Sequence, residues 1–279
     1  MEKENTVHVL YVGIDNKIYH KRHVNGAWVG DEWLGANAGR GADNASSLAV
    51  GIGIDGICLF YAKTDGEIWR GSLHSTGSYY EEPTGGSGAT HPTVVQAFDG
   101  QLFFFYVGGD KGIWHGRLAG FYHGDESTHA SGVRLLSVSR DPADQLLHIF
   151  YVNDLGEIWN GRLDPDPAGG PYQGDEQLFV HDRATDLTTT WGQFIAYIRN
   201  DNTVQCWRRS IGAEPPKSMT FIGSPGYISP QNPPTQLAAM RTGDGTKLHL
   251  FCIFKDDSIR HWPFDGAAWG PKENVTPSF

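Results

Sequence analysis

The chain has 279 residues, of which 39% are hydrophobic and 12% aromatic, and it is rich in turn formers, with 36 Gly and 15 Pro. Its 22 Lys plus Arg against 32 Asp plus Glu give a formal charge of −10, which repels polyanions on average and argues against nucleic acid as a partner. No stretch approaches the roughly 20 apolar residues of a membrane span, so no membrane insertion is expected.

Met1 to Val7 is polar and charged, without the apolar run of a signal peptide. The expected location is the cytoplasm, or outside the cell after release without a signal peptide. Cys58, Cys206 and Cys252 are odd in number and widely spaced, which suits reduced, partly buried thiols better than a disulfide framework or a metal knuckle. The sequons at Asn44-Ala45-Ser46 and Asn274-Val275-Thr276 have meaning only with secretion.

In chain order, one pattern recurs: an apolar strand, a polar turn, then Ile or Val opening a second strand. The copies read HVLYVGIDNKIYHKR, CLFYAKTDGEIWRGS, FFFYVGGDKGIWHGR, HIFYVNDLGEIWNGR, FIAYIRNDNTVQCWR and HLFCIFKDDSIRHWP. The hairpins fall near residues 7–24, 57–73, 102–118, 147–163, 194–209 and 248–264. The aligned aliphatics Ile18, Ile68, Ile113, Ile158, Val204 and Ile259 are spaced by 50, 45, 45, 46 and 55 residues.

Short β-prone segments precede copies two to six, around Leu48–Gly51, Thr93–Phe98, Val133–Val138, Leu187–Trp191 and Leu237–Met240. They are expected as inner strands. Aromatic-then-acidic segments follow most hairpins: Trp28 with Asp31 and Glu32, Tyr79 with Glu81 and Glu82, Tyr122 with Asp125 and Glu126, Tyr172 with Asp175 and Glu176, Trp269 with Glu273. These are expected as outer strands. The fold predicted is all-β, a six-bladed β-propeller of four-stranded antiparallel blades forming a single domain over residues 1–279.

Met1 to Thr6 is too short for an inner strand in blade one. The tail from Glu273 to Phe279 could supply the missing strand, that blade could be three-stranded, or a second subunit could cover the gap in a homodimer.

Side chains two and four residues past the aligned aliphatic share one face of the strand. These are His20/Arg22, Arg70/Ser72, His115/Arg117, Asn160/Arg162, Cys206/Arg208 and His261/Pro263. The opposite face carries Tyr19/Lys21, Trp69/Gly71, Trp114/Gly116, Trp159/Gly161, Gln205/Trp207 and Arg260/Trp262. A sugar needs an aromatic ring for its C–H face and polar groups for its hydroxyls, and the repeat offers both. Glu32, Glu82, Glu126, Glu176 and Glu273 add acceptors, with Arg22, Arg117, Arg162 and Arg208 as natural partners.

Structural readings stand beside these. Trp69, Trp114 and Trp159 over glycines also suit packing between blades, and the acidic residues also suit a solvated edge strand. His20, His115 and His261 read as satisfied imidazoles more readily than as metal ligands, since no second ligand stands at a recognised spacing.

At these hairpins the chain resembles the fungal fucose-specific lectins, six-bladed propellers with pockets between adjacent blades. In that family the hairpin ends in a tryptophan, matched by Trp28. An Arg in the first strand and a Glu two residues past the aliphatic usually hold the sugar. Those places here carry His8 and His20, Cys58 and Arg70, Phe103 and His115, His148 and Asn160, Phe194 and Cys206, His249 and His261. The family's Arg and Glu are absent in every blade. The resemblance implies a multivalent, agglutinating lectin for terminal sugars of glycans, fucose or an N-acetylated hexosamine.

The carbohydrate-binding residues expected are Tyr19, His20, Trp69, Arg70, Trp114, His115, Trp159, Asn160, Glu32, Glu82, Glu126 and Glu176. Blades five and six, altered at Gln205 and Arg260, are expected to be weaker. No catalytic set, cofactor or metal is called for. An enzyme working in the central tunnel needs a unique constellation, and the nearest singletons, Asp141, Asp144 and Asp182, read as loop residues. A protein-interaction propeller is the third class.

Overall fold

The computed structural model describes residues 7–24, 27–34, 43–53, 56–74, 79–84, 88–118, 122–128, 130–142, 144–165, 172–179, 183–190, 194–209, 219–225, 231–242 and 247–275. All regular structure in them is β-strand, and no helix is long and apolar enough to cross a membrane. The chain divides into two compact units, Met1–His129 and Ala130–Phe279.

The first unit holds three sheets. β1 (Val7–Val12), β2 (Ile18–Val24) and β3 (Ala27–Trp33) form the first. β4 (Ala45–Gly53), β5 (Gly56–Lys63), β6 (Ile68–His74) and β7 (Tyr79–Pro83) form the second. β8 (Thr90–Gln96), β9 (Leu102–Val107), β10 (Ile113–Leu118) and β11 (Tyr122–Ser127) form the third.

The second unit repeats the plan. Its sheets are β12 (Val133–Arg140), β13 (Leu147–Asn153), β14 (Ile158–Leu163) and β15 (Tyr172–Phe179); β16 (Ala184–Thr190), β17 (Phe194–Arg199), β18 (Val204–Arg209) and β19 (Met219–Gly223); and β20 (Pro234–Arg241), β21 (Leu248–Phe254), β22 (Ile259–Phe264) and β23 (Glu273–Asn274). Neighbouring strands in each sheet are consecutive in sequence and antiparallel, the meander of a propeller blade. The fold is a six-bladed β-propeller.

The five expected inner segments fall on β4, β8, β12, β16 and β20, although β8 ends at Gln96, so Ala97 and Phe98 belong to the turn, and Trp191 falls outside the described residues. The outer strand of blade five, β19, reads MTFIG; it lacks the aromatic-then-acidic signature and escapes sequence detection. Blade one departs from the four-stranded plan, with three strands among the described residues, and Met1–Thr6 lies outside them. The tail pairs through Glu273 and Asn274 with β22 as the outer strand of its own blade.

The hairpins close on one device. An Asx side chain accepts the backbone N–H two residues on: Asp15 from Lys17, Asp65 from Glu67, Asp110 from Gly112, Asn153 from Leu155, Asp201 from Thr203 and Asp256 from Ser258. A left-handed residue follows, with φ of 59° at Asn16, 85° at Gly66, 60° at Lys111, 82° at Gly156, 64° at Asn202 and 60° at Asp257. Asn and Gly tolerate that region, which explains the turn composition.

The first strand of the hairpin is buried on both faces in blades three, four and five, as in the LFFFYV run of β9. Apolar side chains of adjacent blades therefore merge into shared cores. In the first unit Phe60 stacks on Phe104 with ring centres 4.5 Å apart. In the second, Leu250, Cys252 and Phe254 pack against Ala196, Ile198 and Cys206. Inner strands are tied by side chains that reach the next backbone: Ser137 Oγ accepts the Thr189 N–H at 3.0 Å, and Thr188 Oγ1 accepts the Ala239 N–H at 3.0 Å. Edges that would otherwise present bare N–H groups are thereby covered.

Candidate functional site

Antiparallel register places each outer-strand acid beside a polar residue of the hairpin. His20 faces Glu32, Arg70 faces Glu82, His115 faces Glu126, Asn160 faces Glu176 and His261 faces Glu273. Arg70 Nη1 lies 3.1 Å from Glu82 Oε1, His261 Nδ1 3.0 Å from Glu273 Oε2, and His115 Nε2 4.0 Å from Glu126 Oε2. Blade five breaks the series, because Cys206 faces Gly223.

Strand alternation sends Tyr19, Trp69, Trp114 and Trp159 to the other face. Each tryptophan is therefore separated from the polar residue next to it in sequence. Trp114 packs against the cluster containing Cys58, Phe60 and Ile68, which lie on the Arg70 face of blade two. Trp69 packs against the cluster containing Ile18, Leu10 and Val12, on the His20 face of blade one. A cleft takes its polar wall from one blade and its aromatic wall from the next.

The clefts within each unit differ. Between blades two and three, the Phe60–Phe104–Tyr106 stack makes the floor, and Arg70, Ser72, Glu82 and Trp114 stand above it. The Arg70 and Glu82 side chains keep 28% and 46% exposure, so solvent and ligand can reach the pair. Trp114 Nε1 donates to Asp110 Oδ1 at 3.1 Å, which fixes the indole and satisfies its only donor. Cys58 lies against Arg70 and Ser72, and burial raises its thiol pKa.

In the cleft between blades one and two, the Lys63 ammonium sits 3.8 Å from the centre of the Trp69 ring and covers one face. Its polar wall is His8 and His20, whose Nδ1 and Nε2 are 2.8 Å apart. Burial, then the nearby His8 and Arg22 charges, push the His20 pKa down to about 4; burial and Arg22 also lower His8. Tyr19 is held by Asp15 through its hydroxyl and stacks on Tyr11.

Phe179 packs on Trp207 at 5.0 Å between blades four and five, and Trp207 Nε1 donates to the Tyr197 hydroxyl. Between blades five and six, buried Trp262 joins Cys206 and Cys252 in an apolar core. Both are packed interior. His115 is buried against Phe105, Asn160 is 2% exposed, and Trp159 Nε1 is buried without a hydrogen-bond partner among the described residues.

The glycines of the repeat have a local cause. A Cβ at Gly71 would meet the Tyr79 hydroxyl at 2.5 Å and its ring at 2.8 Å. Tyr79 and Tyr61 both donate to Glu81 Oε2, at 3.1 and 2.6 Å, and burial raises both phenol pKa values. Blade four repeats the arrangement with Tyr172 and Asp175 over Gly161.

Asp141 and Asp144, read from sequence as solvated loop residues, come together with His148. Asp141 is 3% exposed, and the three donor atoms lie within 4.8 Å of one another, a spacing compatible with a cation. His148 Nε2 is 2.9 Å from Asp144 Oδ2, which accounts for the pair as a brace across the β12–β13 turn. Asp182 lies outside the described residues.

Six meander blades, with a polar wall and an aromatic wall brought together between blades two and three, define the class, a six-bladed β-propeller. No family model matches the chain, and no curated protein sequence matches it. Solved structures do. The BP39L lectin of Burkholderia pseudomallei superposes with a TM-score of 0.69 at 15% identity, over 99% of this chain and 82% of its own. The lectin of Aleuria aurantia, a six-bladed β-propeller described with a novel fucose recognition mode, gives 0.70 at 15% identity, over 98% and 93%. AofleA of Arthrobotrys oligospora gives 0.65 at 11%, over 99% and 88%. A point mutant of the Aleuria aurantia lectin has also been solved with α-methyl-L-fucoside and with Fucα1-6GlcNAc.

Proposed function

We propose that this propeller is a multivalent carbohydrate-binding lectin and not an enzyme. The observation that carries the reading is the cleft between blades two and three, where an accessible Arg70–Glu82 pair stands over an aromatic floor beside an indole held by Asp110. A guanidinium and a carboxylate 3.1 Å apart offer a fork of donors and a pair of acceptors to adjacent ring hydroxyls. Trp114 offers a flat apolar face to the C–H side of the ring. The ligand class is a terminal fucose or N-acetylhexosamine. Fucose is supported by the fucoside complexes of the similar lectins, and the absence of that family's own Arg and Glu leaves the amino sugar as the alternative.

The test is a glycan array on the whole chain, followed by calorimetry on the best sugar. Arg70→Ala and Trp114→Ala should each lower affinity at least about tenfold, the loss of a charged hydrogen bond or a stacking surface being about 1.5–3 kcal/mol. The half-exposed ion pair contributes about 1 kcal/mol or less to stability, so Arg70→Ala should stay folded. A blank array, or unchanged isotherms for both folded variants, would sink the reading.

A further inference from the structure

We infer that the residue five places before the aligned aliphatic grades the clefts of the first unit, and that Lys63 at this place holds the cleft of blades one and two below that of blades two and three in affinity. The ligand half of this inference rests on the carbohydrate reading; the cover over the Trp69 ring does not.

The place is Gly13 in blade one, Lys63 in blade two, Gly108 in blade three and Phe254 in blade six. A Cβ at Gly108 would meet Trp114 Cδ1 at 2.7 Å and Nε1 at 2.8 Å, and one at Gly13 would meet Tyr19 Cε2 at 2.8 Å. Such contacts are far inside the optimal separation of non-bonded carbons, so the ring lies directly on the glycine backbone. Among the described residues no cation stands over Trp114.

Blade two restores a side chain at this place. Lys63 Nζ stands 3.8 Å from the centre of the Trp69 ring, and Glu67 Oε2 accepts the Trp69 Nε1–H at 3.1 Å. One face of the indole is taken by the ammonium, and the ring also packs against the cluster around Ile18 of blade one. Blade six shows the same pairing with the partners exchanged. Phe254 fills the place of Lys63, Arg260 fills that of Trp69, and the guanidinium carbon lies 4.0 Å from the ring centre.

A sugar and an ammonium compete for the same electron-rich face. Displacing the ammonium from a partly exposed ring lowers the affinity of the incoming ligand by about two- to fivefold. Glycine at 108 imposes no such cost. Trp69 and Trp114 are equivalent in the repeat and unequal as binding surfaces.

Indole N–H resonances of the full chain, assigned with Trp69→Phe and Trp114→Phe, read the two clefts separately during titration with methyl α-L-fucoside and with N-acetylglucosamine. The Trp114 resonance should reach its midpoint at lower sugar than the Trp69 resonance. Lys63→Gly should lower the Trp69 midpoint at least about twofold. Gly108→Lys should raise the Trp114 midpoint, with Gly108→Ala as the milder variant should the first not fold. A Trp69 midpoint that stays in place in Lys63→Gly, or that equals the Trp114 midpoint in the wild type, overturns the grading. If neither sugar moves any indole resonance, the carbohydrate reading fails, and a soluble gadolinium chelate tests the cover without a sugar. Trp69 ring protons should relax faster in Lys63→Gly than in the wild type, and equal rates would overturn the cover.

Discussion

Folding keeps His20 uncharged well below the pH at which a free imidazole takes a proton, because burial beside His8 and Arg22 pushes its pKa down to about 4. Between about pH 6.5 and 4 the unfolded chain binds more protons than the folded one, so stability falls as pH drops through that window. The whole shift is worth at most about 3 kcal/mol, and partial solvation trims it. Asp186 works in the opposite sense. Its carboxylate accepts the Leu237 N–H, and burial raises its pKa to about 7. Stability from this group is full below its unfolded pKa and lost as pH rises toward 7. The two slopes oppose each other between about pH 4 and 6.5, so melting temperature should change little with pH there, whereas His20→Asn should leave a fall with rising pH and Asp186→Asn a rise. Neither shift was legible in sequence, since each depends on what a neighbouring strand places against the group.

Hairpins and their outer strands decide how rigidly a cleft is presented. Asp110 closes the β9–β10 turn through Gly112 and holds the Trp114 indole through the same side chain. Asp110→Ala should lower stability, as loss of a local capping contact does, and should also weaken sugar binding. Calorimetric melting and titration of one sample separate the two effects. Gly71→Ala forces a methyl into Tyr79 and should cost about 1–3 kcal/mol in urea unfolding, with Glu81 losing its partners. The hairpins, turns and inner strands were readable because period-two patterning and Asx residues act within a few neighbours. β19 was not, because its MTFIG sequence carries neither an acid nor an alternation to mark it.

At the scale of the whole molecule, the repeat does not produce equal sites. The cleft of blades two and three is polar and reachable, that of blades one and two carries Lys63 over Trp69, and those of blades four to six within the second unit are filled by Phe179, Trp207 and Trp262. Calorimetry should return fewer than six sugars per chain. With more than one site, clustered glycans should still be held by about 10² more tightly than a monosaccharide, which surface plasmon resonance on dense and sparse glycan surfaces measures.

The number of blades, the strand order and the two faces of each hairpin were determined by the sequence alone, because a six-fold repeat of alternating residues has one economical way to bury its apolar side chains. Which tryptophan serves which polar set was decided only by tertiary structure. Residues adjacent in the chain point to opposite faces, so Trp114 lies against the Arg70 face of another blade, and only the packing of one blade on the next brings them together.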